Sequence, residues 1–122
     1  MIGKFIGVLF LSRDVAHREH LKTKSYSQHV ALGAFYDEIT DLADSLTEAY
    51  QGRHGIIDDI PIFNEVSGST KTTAADKIQE ILDFIEKERY DAIKKEDTPL
   101  QNIVDEIVSL FLSTLYKLNN LK

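Results

Sequence analysis

Three of the four histidines, His17, His20 and His29, fall close together, and a run of carboxylates follows at Asp37, Asp41, Asp44 and Glu48. No Lys or Arg lies between Asp37 and Glu48. Imidazole nitrogens together with carboxylate oxygens suit first-row metal ions, iron among them. Both groups also have plainer uses. A histidine near a helix end can bond the last carbonyls or meet the helix dipole. Outward carboxylates ordinarily form a solvated face. Unpaired acids stacked on one helix repel each other unless cations are near, which keeps the metal reading open.

Spacing constrains where such a metal could sit. His29 and Asp44 are fifteen residues apart on what reads as one helix. At the rise of an α-helix that is roughly 22 Å, so the two cannot share an ion within one chain. A two-fold axis beside this helix would solve the problem by bringing the Asp44 and Glu48 end of one copy to the His17 and His29 end of another. Val30, Gly33 and Ala34 share the outer face with the acids. Small and apolar residues there suit close approach by a second copy.

The elements that must position these residues are helical. Apolar side chains recur at three- and four-residue steps in four segments, about residues 2–21, 26–51, 73–95 and 99–118. In the first segment Phe5, Ile6, Leu9, Phe10, Ala16 and His17 recur. In the second, Leu32, Phe35, Tyr36, Ile39, Leu42, Ala43, Leu46 and Tyr50 form the stripe, and Gly52 is a natural stop. Thr73 is the expected N-cap of the third, and Ile78, Ile81, Leu82, Ile85 and Tyr90 are expected to face inward. In the fourth, Thr98 as N-cap, Pro99 at the first helical position and Gln101 after them form a start signal. Residues 52–72 break the pattern with Gly52, Gly55, Pro61, Ser67 and Gly68. Ile56, Ile57, Ile60, Ile62, Phe63 and Val66 make that stretch too apolar for a free linker, so it is expected to pack on the bundle. Short loops flank one long connection. The expected fold is therefore all-α: a ferritin-like four-helix bundle of two antiparallel hairpins joined by a long crossover. Residues 1–122 read as a single domain, the size of one compact core.

Composition removes several classes of function. With 20 acidic and 14 basic side chains the formal charge is -6, so no nucleic-acid partner is expected. The chain has no cysteine, which excludes disulfides, thiolate metal sites and cysteine nucleophiles. Residues 5–11 are apolar and follow Lys4, but Arg13 and Asp14 come at once and no small-x-small cleavage site is present, so this reads as a helix and not as a leader. No apolar stretch reaches the roughly 20 residues that span a bilayer. No phosphate-cradling glycine motif and no nucleophile triad is present. A cytoplasmic location is expected.

The run HREHLKTKSYSQHVALGAFYDEITDLADSLTEAYQGRHG, residues 17–55, resembles the ferroxidase stretch of the Dps family, the miniature ferritins. That family places a His on its first helix, a second twelve positions on, an Asp fifteen after that and a Glu four further. Here these are His17, His29, Asp44 and Glu48. The resemblance implies an inter-subunit iron site, with both imidazoles from one copy and both carboxylates from its two-fold mate. It implies oxidation of iron(II) by peroxide or dioxygen and self-association as a dimer or larger homo-oligomer. His20, Tyr36 and Asp41 are candidate groups around the ligands. Two positions depart from the pattern. Gly33 stands where the family has an acidic ligand, and Arg18 where it has Trp. Small proteins of large bacteriophages look similar in size, and such an origin implies the host cytoplasm. Two other readings stay open: a non-catalytic helical oligomer or adaptor that keeps the bundle without the metal, and a four-helix regulator that binds a partner through residues 56–66.

Overall fold

The computed structural model describes residues 1–66 and 68–122. Ser67, read above as part of the connection, lies outside the described residues. Among them are four helices and no strand: α1 (Ile2–Lys22), α2 (Tyr26–His54), α3 (Ala74–Ala92) and α4 (Thr98–Asn120). None is long and apolar enough to cross a membrane.

The helices form a four-membered bundle. α1 packs on α2 and α3, and α4 packs on the same two, so α1 lies diagonally from α4. The core is built from the expected stripes. Phe5, Leu9, Phe35, Ile39, Leu82, Ile85, Val104 and Phe111 are fully or almost fully buried. Phe35 and Phe111 meet edge to face at 4.9 Å across the α2–α4 seam, a geometry that adds about 1 kcal/mol to the area buried.

Several boundaries differ from the periodic reading. α2 runs past Gly52 to His54, and the stop is Gly55, whose φ of 89° needs glycine. A tertiary contact supports the extra turn, Arg53 Nε bonding Asp97 Oδ2 at 2.8 Å, and within the helix Tyr50 packs on His54 one turn on. α3 ends at Ala92 and not near Lys95, because Ile93 turns extended and is buried. Tyr90 faces outward, with the Arg89 and Lys95 cations over its ring. Phe10 is likewise exposed.

The start of α4 also differs. Asp97, not Thr98, is the N-cap, it makes no side-chain cap bond, and Pro99 falls in the first turn. Gln101 is drawn into the core instead of reaching back to the cap. Buried Arg89 donates from Nε to Gln101 Oε1 at 2.8 Å, and Gln101 Nε2 donates to the Ile93 carbonyl at 3.0 Å. A buried guanidinium must be satisfied, and that requirement outweighs one capping bond of about 1 kcal/mol.

The stretch between α2 and α3 packs against the bundle through Ile57, Ile60, Phe63 and Val66. Ile56 and Ile62 instead point outward, Ile62 at 96% exposure. Two glycines one helical turn apart on α1 admit this stretch. A Cβ at Gly3 would collide with the Asp59 carbonyl oxygen, and one at Gly7 would lie 2.6 Å from that of Pro61. At its far end, Lys77 Nζ at the start of α3 bonds Glu19 Oε2 near the end of α1 at 3.3 Å.

Candidate metal-binding residues at the first turn

α1 stops at Lys22 and α2 starts at Tyr26. Ser25 caps α2, its hydroxyl accepting from the Gln28 amide at 3.3 Å. This three-residue turn sets two histidines opposite each other. The rings of His20 and His29 stack with centroids 3.7 Å apart. His20 Nδ1 lies 2.6 Å from the His29 carbonyl oxygen, and His29 Nδ1 lies 2.8 Å from the His20 carbonyl oxygen. A carbonyl oxygen only accepts, so each Nδ1 carries a proton and donates. In the neutral rings the lone pair therefore sits on Nε2. The His20 carbonyl is one of the four that the end of α1 leaves without a helical partner, and the His29 ring fills that need.

Gly33 makes this possible. A Cβ there would lie 3.0 Å from His20 Cε1 and 3.2 Å from His20 Nδ1. The missing side chain is the space in which the His20 ring approaches the backbone of α2. Gly33 is thus covered by the chain's own imidazole and does not form an open small-residue patch, as the sequence reading had it. Only Val30 and Ala34 of that patch are exposed.

His17 lies one turn earlier and stacks on Tyr36 at 4.6 Å. His20 meets the edge of the same ring at 5.3 Å, and the Arg13 guanidinium lies 5.8 Å from its centroid. His17 and His20 are 6.5 Å apart, so His20 stands between His17 and His29 in the chain of ring contacts. Sequence reasoning paired His17 with His29 across the turn and left His20 in a supporting place. The signal for the actual pair is that His20 and His29 flank residues 23–25 at nearly equal distance.

The acids occupy the other half of α2. Asp37, Asp41, Asp44 and Glu48 are all exposed. Five ion pairs are formed among the described residues, and none involves these four or Glu38. Within one chain the described residues contain no group of three or more His, Asp or Glu side chains placed to hold a metal ion. The imidazole end and the carboxylate end of the candidate site remain apart.

No curated protein and no solved structure matches the chain. A family model described as a family of unknown function, DUF5856, matches residues 20–118, a stretch that includes His20, His29, Asp44 and Glu48 and begins after His17. The chain belongs to this family of unknown function, DUF5856.

Proposed function

We propose that the chain is a ferritin-like, Dps-like bundle that pairs with a second copy along the outer face of α2 and binds iron(II) between the copies. His17 and His29 of one copy face Asp44 and Glu48 of the other, with His20, Tyr36 and Asp41 around them. The observation that carries this reading is the hydrogen bond that holds His29. Its Nδ1 is occupied by a main-chain carbonyl, the arrangement by which metal-binding imidazoles are oriented and left with a free Nε2. The same helix carries, further along, exposed carboxylates with no ion-pair partner among the described residues. Ferritin-like connectivity is supported by the course of the connection past Gly3 and Gly7 and by the Glu19–Lys77 bond at its far end. A connection that starts near the beginning of α1 and delivers α3 beside the end of α1 is a crossover.

In this reading iron(II) is the substrate. Imidazole suits the ferrous ion, and hard carboxylate oxygens favour the ferric product once peroxide or dioxygen has taken the electron. The work belongs in the cytoplasm, of a host cell if the chain is phage-encoded. The test is iron(II) oxidation in air by wild type, His29→Ala and Glu48→Ala, with mass measured by light scattering. Wild type should oxidise iron at least tenfold faster than either variant, and all three should be dimeric or larger. Equal rates in all three would remove the oxidase reading.

A second reading has its own support. The His20–His29 pair already closes the first turn as a structural latch, and His20 occupies the space above Gly33. A non-catalytic oligomer or adaptor would need no more than this. Dimers that neither oxidise nor retain iron would favour it.

A further inference from the structure

A groove opens between α2 and α4, on the opposite side of α2 from the histidine contacts. Leu42 and Leu110 form its floor, and both pack on the core beneath. Ser109 and Ser113, one turn apart, keep the α4 wall low. Glu38, Asp41 and Glu106 rim a cavity of about 550 Å³. None of the three is in an ion pair among the described residues, and no cation lines the groove. Its chemistry specifies an occupant: an apolar side chain flanked by cations.

The chain carries such a feature at the end of α1. Leu21 is 70% exposed. Arg18 precedes it by three residues and Lys22 follows it, so the three share a face of the helix. The Arg18 and Lys22 side chains are 76% and 70% exposed, and Lys24 lies in the turn that follows. Arg18 pairs with exposed Asp14, and Lys22 makes only a 3.8 Å contact with Glu19. Surface pairs of this kind are readily exchanged for others. Knob and groove cannot meet in one chain, because Tyr26 and Glu38 are separated by roughly 18 Å of helix.

The geometry points to a head-to-tail contact between copies, in which Leu21 of one chain, flanked by Arg18 and Lys22, enters the α2–α4 groove of the next. The joined surfaces differ, so the contact is heterologous and repeats into a ring or a filament. It shares only Asp41 with the two-fold pairing proposed above, uses none of the four proposed iron ligands and does not depend on iron.

Light scattering after size exclusion, with the full chain at low ionic strength, tests it. Wild type should exceed a dimer and fall towards smaller species when salt is raised to about 0.5 M, where charges beyond a few ångströms are screened. Leu21→Asp removes the knob and Ser113→Trp blocks the groove. Both sites are exposed, and circular dichroism should show unchanged helicity. Each variant alone should lose the larger species. An equimolar mixture should gain mass as a one-to-one pairing of the two variants, because one keeps its groove and the other its knob. A wild type no larger than the variants, or a mixture no heavier than the variants alone, overturns the contact. The mass of the separate variants reports on the two-fold pairing independently: dimers support it, and monomers refute it while leaving the head-to-tail result to stand or fall by the mixture.

Discussion

Two helical hairpins close in this molecule with different chemistry. At the first turn, His20 and His29 stack and each donates to the other's carbonyl. At the second, Arg89 donates to Gln101 Oε1, the Gln101 carbonyl and Asp105, while Gln101 donates onward to Ile93. Both devices use side chains to satisfy main-chain carbonyls left over where a helix ends. The arginine is a permanent cation that is nine-tenths buried, and its donors are directed into the protein. The histidines are half-buried, and each spends only one ring nitrogen on the fold. A clamp made of imidazoles holds its turn and still has a lone pair to offer. A clamp made of guanidinium has no lone pair to offer. That contrast is why candidate chemistry gathers at the first turn and not the second.

Breaking the second clamp should have the largest effect on stability. Arg89→Ala leaves Gln101 unsatisfied in the core and opens a gap, so chemical denaturation should show a loss of about 3 kcal/mol. Iron binding should be unchanged, since no candidate ligand touches Arg89. His29→Ala should cost less, about 2 kcal/mol, from one hydrogen bond and one ring contact. Unlike the arginine change, it should abolish iron retention. A variant at Arg89 that lost iron while still folded would break the contrast.

The smallest effect is the most discriminating. Gly33→Ala adds a helix former, worth up to about 1 kcal/mol on an open helix face. Here His20 is held by its stack and its hydrogen bond and cannot yield, so the substitution should destabilise slightly, by less than about 1 kcal/mol. In a His20→Ala background the same change should become stabilising. The reversal of sign in a double-mutant cycle would measure the contact directly. Additive effects would mean that the ring does not need the glycine.

Much of the bundle was legible in the chain. The stripe of α2 names Leu32, Phe35, Ile39, Ala43 and Leu46, all buried, and Thr73 caps α3 as its residue type and place require. Hydrophobic period and capping chemistry are local properties, so they are written locally. Three of the failures were long-range. Gly52 reads as a stop until Arg53 is found bonded to Asp97. Gln101 reads as part of a cap until Arg89 claims it. Nothing local marks Gly3 and Gly7 as the positions where the backbone of residues 59–61 lies against α1.

The candidate site divides in the same way. Sequence alone determined that His29 and Asp44 lie far apart on one helix, because helical rise fixes that distance. Only the tertiary structure decided that His20 and not His17 faces His29, and that Gly33 is a seat for a ring. The pairing depends on the register in which two helices meet across a turn, and packing energies set that register over the whole seam.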